Sequence, residues 1–474
     1  MSSVSMRLFG AAIIGAFLVS GCVNIDRELA TDFAEVDVAV GRRIGVEPVR
    51  VRGQSASIAA EVDRLLAAEL SEETAVKIAI LNSSRIREVY EGLGVRRADL
   101  VQAGLLSNPV FSGNAKFFSG ATEIEIGIAQ SFLEIFYIPL RERVAAARLA
   151  AAKASVAREV IATVFAVRRS FVRLLAATEV VEMRRRVLVA AQASSKLMQK
   201  LHDAGNVTDP QLTADHAAEA RARIDLASAE SKVPEARERI NVLLGLWGAR
   251  VAWNVPARLQ WNVAAKNEFE GVEGRAVVAS LDLAENLAEL ESLAELAGLE
   301  SWEAAIGRGE IGPAVKHETD GKWGAGPEVS LALPIFDQGQ AKRARAEAMV
   351  RAALAHHESL AVEIRSAART FRERIIALAD RTAYVKDVLL PLRARLVGET
   401  LQYYNAMQIG AFDVITAKQQ EIEAGGEYIE LMREARLARL DLEELLAGRL
   451  NRDRVESGMP AVHVEGMSPI RKEH

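Results

Sequence analysis

Two short segments of the chain alternate between apolar and polar positions, and each runs into a long helical stretch. In the first, Ile124, Ile126, Ile128 and Phe132 share one parity, and Glu123, Glu125, Gly127, Ala129 and Ser131 share the other. A period of two places such sets on opposite faces of a strand. In the second, Val329, Leu331, Leu333 and Ile335 form the apolar set, and Glu328, Ser330 and Ala332 form the other. Glu125 to Glu134 aligns with Glu328 to Asp337, 203 residues further on. Near that spacing Thr213-Ala214 returns as Thr416-Ala417, and Leu244-Gly245 as Ala447-Gly448. Self-similarity of this kind predicts one structural unit used twice.

The helical stretches are long. A helix opening at Ser71, with Glu72 and Glu73 in its first turn, carries Ala75, Ile78, Ala79, Ile86, Val89 and Tyr90 as an apolar stripe and breaks at Gly104 and Asn108-Pro109. Leu140 to Ala204 contains neither Gly nor Pro, which predicts a single helix of about 100 Å. The chain turns at Gly205-Asn206 and returns to residue 246, with a bend allowed at Pro234. A second uninterrupted run, 341–390, resumes after Pro391 to about Met407, turns at Gly410 and returns to about Ala447. Gly205 and Gly410 are expected to supply the positive φ that closes each helical hairpin, in turns that differ by two residues in length.

These boundaries divide the chain into a targeting segment (1–21), an extended N-terminal segment (22–60) and a first unit (61–250). The first unit has a β-hairpin near 108–132 and a helical hairpin near 140–246. A connector (251–275) leads to a second unit (276–448), with a β-hairpin near 308–335 and a helical hairpin near 341–447. A loose tail (449–474) ends the chain.

Composition narrows the function. Charged residues are 26% of the chain and the net charge is −5, so no basic excess points to nucleic acid. After residue 22 no apolar run is long enough to span a bilayer as a helix. Any crossing must use strands, and strands in lipid must close into a barrel. Four strands leave open edges, so several copies are needed. Glu123, Glu125, Glu328 and Ser330 would then line water, while Ile124, Ile126, Ile128, Val329, Leu331 and Leu333 would meet lipid. Alanine seams such as Ala145, Ala146, Ala150 and Ala154, interspersed with Arg141, Arg148 and Lys153, suit closely packed helices in a wall with water on both sides.

The N-terminus carries an export pattern. Arg7 precedes the uncharged apolar run Leu8 to Val19, which ends in Leu18-Val19-Ser20-Gly21-Cys22. This resembles the bacterial lipobox, in which the cysteine becomes the acylated first residue, so a covalent lipid on Cys22 is the one attached group expected. Cys22 is the sole cysteine, which excludes an intrachain disulfide. An ordinary cleaved signal or a membrane anchor is the alternative. Val23 and Asn24 follow Cys22. In the lipoprotein sorting pattern this resembles, the lack of an Asp there favours the outer membrane.

Several of these residues carry a further resemblance. Leu105-Leu106-Ser107-Asn108-Pro109 leads into the first strand pair, and Ala332-Leu333-Pro334-Ile335-Phe336-Asp337 leaves the second. The turns Gly205-Asn206-Val207-Thr208-Asp209 and Tyr404 to Gly410, followed by Asp413-Val414-Ile415-Thr416-Ala417, complete the set. Together, behind a lipobox, they resemble the TolC-like outer-membrane efflux protein family in its lipid-anchored branch. The resemblance implies a mainly α fold with a membrane β-barrel: a homotrimer with a shared 12-stranded barrel and a periplasmic helical barrel. It implies an exit duct anchored in outer-membrane lipid and extending into the periplasm. The implied partners are a periplasmic adaptor and an inner-membrane transporter of the resistance-nodulation-division type. It assigns adaptor docking to turns containing Gly205, Asn206, Asp209 and Gly410, and a periplasmic gate to Asp413, where relatives can carry a second acid at the position of Thr416. Asp209 is expected to be the first unit's equivalent of Asp413, serving as a turn and cap residue.

Asp413 has a plainer role open to it, capping the returning helix. Three copies would also place three carboxylates around an axis, favouring cations in a narrow passage. No nucleophile–base pair or phosphate loop is present, so no enzyme is expected. No metal site is expected either: His356 and His357 are adjacent and point to different helix faces, and His202 and His216 flank a turn. A type I secretion duct or a periplasmic coiled-coil scaffold lipoprotein are the alternatives. A periplasmic adaptor would need a β-rich module that the pattern lacks.

Overall fold

The computed structural model describes residues 25–46, 55–118, 121–255, 269–306, 309–317, 322–332 and 335–456. Cys22, Leu333, residues 256–268 of the connector and residues 457–474 lie outside the described residues. In chain order the elements are α1 (Ile25–Ile44), α2 (Ser55–Leu66), α3 (Glu72–Asn82), α4 (Ser84–Ala103), β1 (Val110–Phe118), β2 (Ala121–Ser131), α5 (Glu134–Asp203) and α6 (Asp209–Leu244). They continue as α7 (Val272–Ala279), α8 (Leu281–Ile306), β3 (Gly309–His317), β4 (Trp323–Leu331), α9 (Gln340–Tyr384), α10 (Leu390–Asn405), α11 (Ala411–Leu446) and α12 (Arg452–Glu456). The chain forms two compact units. One comprises Met1–Val36, Tyr90–Lys153 and Glu285–Leu354; the other comprises Asp37–Val89, Ala154–Ala284 and Ala355–His474.

The first unit holds a single antiparallel sheet in the order β1-β2-β3-β4. Each hairpin pairs with itself, and β2 pairs with β3 to join them. Gly127 faces Ala314 and Gln130 faces Ile311, while the β2–β3 ladder omits Gly312 and Pro313. Pro313 has no N–H to contribute. A β-carbon on Gly312 would fall on the Ile128 carbonyl oxygen, so glycine is what lets the two backbones approach here. β4 ends at Leu331, opposite Gly309, the first residue of β3. The expected strand through Ile335 is therefore too long, because beyond Leu331 no partner strand remains among the described residues.

α1 corrects the expectation of an extended segment. Phe33, Val36, Val40 and Ile44 are buried and recur at helical spacing. Acids occupy its first turn and arginines its last, matching the helix dipole. Asp32 on α1 is 1% exposed. Arg97 grips it with two hydrogen bonds of 2.6 and 2.5 Å, and Lys153 adds an ion pair at 2.8 Å. Phe33 packs edge-on against Tyr90 at 5.3 Å.

In the second unit α5 is a core helix. From Val156 to Ala176 it is buried on almost every side, which corrects the picture of a wall wetted on both faces. Three of its arginines there are tied to other elements: Arg158 to Asp282 at 3.3 Å, Arg168 to the Ile44 carbonyl at 3.1 Å and Arg169 to Glu444 at 2.5 Å. α5 and α6 run antiparallel, linked by Ser194–Asp215 at 2.6 Å and Arg185–Glu230 at 3.2 Å. α6 remains helical through Pro234. Its C-terminus ends on Gly245, with φ of 66°. Asn82 caps it, donating to the carbonyls of Leu244 at 2.8 Å and Gly245 at 2.9 Å.

Ahead of Pro391 the chain makes a π-helical turn, Val385–Leu389, a widening that accommodates the donor proline lacks and the bulk of its ring. α10 and α11 then form the second helical hairpin, bridged by Arg393 and Gln420 at 2.6 Å. The expected loose tail begins as docked chain instead. Leu450 is buried and its N–H donates to Asp282 at 2.7 Å, and Arg454 pairs with Asp441 at 3.1 Å. Trp253, from the connector, is also buried. Its indole N–H donates to Asn241 at 2.9 Å and its ring lies 4.1 Å under the Arg237 guanidinium.

Burial by itself raises the Asp32 carboxyl, but the hydrogen bonds from Arg97 and Lys153 outweigh it and hold the carboxyl below its ordinary value. A depressed carboxyl stabilises the fold above its unfolded pKa of about 3.9, and this contribution is lost as pH falls through the folded value. Asp32→Asn is expected to cost about 2–3 kcal/mol at neutral pH, less than a fully buried pair because Arg97 and Lys153 retain other acids. Thermal unfolding in detergent reads this, and the gap between wild type and variant should close in strong acid. A gap independent of pH would assign the loss to packing.

Candidate functional site: a two-faced sheet and two helical tips

The register sorts the sheet residues onto two chemically opposite faces. Residues opposite one another in antiparallel strands share a face. Ser112 faces Gly127, which faces Ala314; Asn114 faces Glu125, which faces Lys316; and Lys116 faces Glu123. Ser131 faces Glu310, which faces Ser330, and Gly312 faces Glu328. One face therefore gathers Glu123, Glu125, Glu310, Glu328 and Ser330 with Lys116 and Lys316. Glu123 is not a lone acid, because Lys316 pairs with it at 2.7 Å. Neither lysine is singled out by strand alternation alone, since the β2–β3 pairing brings Lys316 alongside.

The opposite face is apolar. Phe111 pairs with Ile128, Ile126 with Val315, Ile124 with His317, Ile311 with Val329 and Gly309 with Leu331. Phe111, Phe117, Ile126, Ile128, Ile311, Trp323, Val329 and Leu331 are exposed there. An exposed apolar surface of this character marks a place that another protein or a membrane covers. At the hairpin ends His317 stacks on Trp323 at 4.8 Å. β1 and β4 are the outer strands, so each leaves one edge unpaired among the described residues. No helix among the described residues is long and apolar enough to cross a membrane.

The two helical tips close with the same hydrogen bonds. In the first, Gly205 N–H donates to the His202 carbonyl at 2.8 Å and Asn206 N–H to Leu201 at 2.8 Å. In the second, Met407 N–H donates to Tyr404 at 2.8 Å and Gln408 N–H to Tyr403 at 3.0 Å. This is a Schellman closure, whose left-handed residue is Gly205 (φ 76°) in one tip and Met407 (φ 60°) in the other. Gly410 does not have positive φ; at −80° it is the N-cap of α11. Its N–H donates to Asp413 Oδ2 at 3.1 Å. Thr208 is the matching cap, and its N–H donates to Gln211 at 3.0 Å. The counterpart of Asp413 is thus Gln211, not Asp209. The expected difference in turn length also disappears, because residues 204–208 and 406–410 connect the two helix pairs.

Asp209, the first residue of α6, instead meets His202 Nε2 across the tip at 2.7 Å. Asp413 is exposed and Thr416 half-buried, one helical turn further on. Tyr403, Met407 and Phe412 expose large apolar surface at the second tip; the periodicity of the long helices gives no sign of it. Among the described residues no group of three or more His, Cys, Asp or Glu is arranged to hold a metal ion.

No protein-family profile matches the chain, and no curated protein matches it. Solved structures do. CusC, described for its folding and transmembrane channel formation, aligns over 80% of this chain and 93% of its own, with TM-score 0.65 and 14% identity. The outer membrane protein VceC from Vibrio cholerae aligns over 82% and 97%, with TM-score 0.63 and 16% identity. The open state of the Neisseria gonorrhoeae MtrE outer membrane channel aligns over 80% and 90%, with TM-score 0.63 and 15% identity. The chain has the fold of these outer-membrane channels.

Met407 is 93% exposed, so its side chain contributes little packing to offset its left-handed backbone. Met407→Gly is expected to stabilise the second tip by about 0.5 kcal/mol or more. Amide exchange at Gln408, whose N–H closes the turn, should slow. Faster exchange would mean that the methionine side chain holds the turn.

Proposed function

We propose that the chain is the outer-membrane exit duct of a tripartite efflux system, a passive conduit and not an enzyme. The observation that carries this is the four-stranded sheet with one charged face, one apolar face and two open edges. Strand edges in lipid must be paired. Three copies joined β4 to β1 satisfy them in a 12-stranded barrel, with Glu123, Glu125, Glu328 and Ser330 toward water and Ile124, Ile126, Ile128, Val329 and Leu331 toward lipid. Trp323 and Phe117 would sit in the aromatic girdle at the membrane interface. A scaffold lipoprotein has no use for such a sheet.

The helical hairpins form the periplasmic wall in this scheme. The tips, with Gly205, Asn206, Asp209 and Gly410, meet a periplasmic adaptor, and Tyr403, Met407 and Phe412 supply an apolar anchor for it. The adaptor links the duct to an inner-membrane transporter of the resistance-nodulation-division type, which supplies the energy and selects the cargo. Asp413 caps α11 and, in three copies, places carboxylates at the mouth beside Thr416. Cys22 bears the lipid that tethers the chain to the outer membrane.

Reconstituted into planar bilayers, the protein is expected to conduct and to run as a trimer in detergent. A monomer without conductance would overturn the duct. Asp413→Asn keeps an acceptor for the Gly410 N–H but removes the charge, so stability should hold while cation preference falls. Unchanged selectivity would leave only the cap.

Labelled palmitate should enter the wild type and not Cys22→Ser. Labelling of both would place the lipid on another residue, and labelling of neither would remove it from the scheme.

A further inference from the structure

The second unit contains a cavity of about 490 Å³ between α5, α6, α9, α11 and α12 that the duct does not use. Its lining has an excess of cations, six against the three acids Glu235, Glu430 and Glu434. Arg173 enters from α5, Lys232 and Arg239 from α6, and Arg374 from α9. Two further arginines at the wall are already neutralised: Arg433 by Glu430 at 2.6 Å, and Arg454 by Asp441 at 3.1 Å. The first four have no such relief. Among the described residues, no carboxylate lies within ion-pair distance of Arg173, Lys232, Arg239 or Arg374. Arg374 also carries a buried Nη1 atom without a hydrogen-bond partner. A buried guanidinium N–H left without an acceptor is costly, and such an atom calls for a ligand.

The charges also crowd one another. Burial makes the Arg173 guanidinium easier to deprotonate, and repulsion from Arg454, Arg239 and Arg169 adds to this. Arg173 and Arg374 are half-buried, Lys232 and Arg239 reach the same space from the exposed rim, and the cations outnumber the acids of the wall, an excess that one multivalent anion would relieve. Guanidinium forks match the paired oxygens of phosphate and carboxylate groups, and a lysine adds a point charge. The floor includes Ala176, Ala177 and Ala236, small side chains that leave the room.

We propose that this cavity binds a small multivalent oxyanion, of the phosphate or polycarboxylate class, which clasps α5 and α6 to α9. Arg173, Lys232, Arg239 and Arg374 are its ligands. The site is independent of conduction and stands or falls without the duct.

The test uses the full-length protein in detergent at fixed ionic strength, titrated separately with inorganic phosphate, pyrophosphate, citrate and chloride. Phosphate or one of the polyanions should raise the melting temperature saturably, and chloride should not. Arg374→Gln and Arg173→Gln should each weaken binding about tenfold or more. Without anion both variants should melt at or above the wild type, because repulsion is relieved. A purely structural arginine would show the opposite. A polycarboxylate response without one to phosphate would narrow the ligand within the class. Equal shifts with chloride, or wild-type affinity in folded variants, would overturn the site.

Discussion

The ladder between β2 and β3 is the interaction on which the membrane-facing part of the proposed duct depends. Each hairpin alone is a two-stranded ribbon, marginal in water. Joined, they make one sheet whose faces agree in character across all four strands. The agreement is strict because the side-chain period is two. A slip of one residue between β2 and β3 would move Lys316 away from Glu123 and onto the side of Ile126 and Ile128. Gly312 and Pro313 sit at the center of this ladder. One allows the backbones to approach, and the other removes a donor where the ladder is broken.

The helices face a different constraint. A helix as long as α5 carries many arginines, and its middle is buried. Most of those charges find an acid or a carbonyl, and Arg173 is the exception. Arg169 lies between Glu444 and Asp441, and Arg158 meets Asp282. Burial pushes the Asp441 carboxyl up, and Arg454 and Arg169 pull it back. Such pairs add little net stability but make every misaligned packing expensive. Arg173 and Arg374 depart from this pattern, since both are half-buried and neither has an acid within ion-pair distance among the described residues.

The tips combine fold and proposed function in a few residues. Both close with the same backbone bonds, but one uses glycine and the other an exposed methionine in the left-handed conformation. An exposed Met beside Tyr403 and Phe412 gives the second tip an adhesive surface that the first lacks. Asp413 holds the Gly410 N–H, so a carboxylate proposed for the mouth also stiffens the turn that presents it.

The sequence by itself determined what is periodic and local. Alternation over Thr122–Phe132 sorts Ile124, Ile126 and Ile128 from Glu123 and Glu125, because a strand has no other way to arrange them. Long runs without Gly or Pro announce the helical hairpins, and Gly205 announces a left-handed turn. Tertiary structure alone decided what depends on residues distant in the chain. It placed Lys316 beside Glu123 through the β2–β3 register. It gave Asp32 on α1 the partners Arg97 and Lys153, and it docked Leu450 through Asp282. It also assigned the second left-handed position to Met407 and left Gly410 as a cap, since a Schellman closure is set by which carbonyls remain free at the helix end. The cavity of unpaired arginines belongs to this second class, because its four cations come from three helices and meet only when those helices pack.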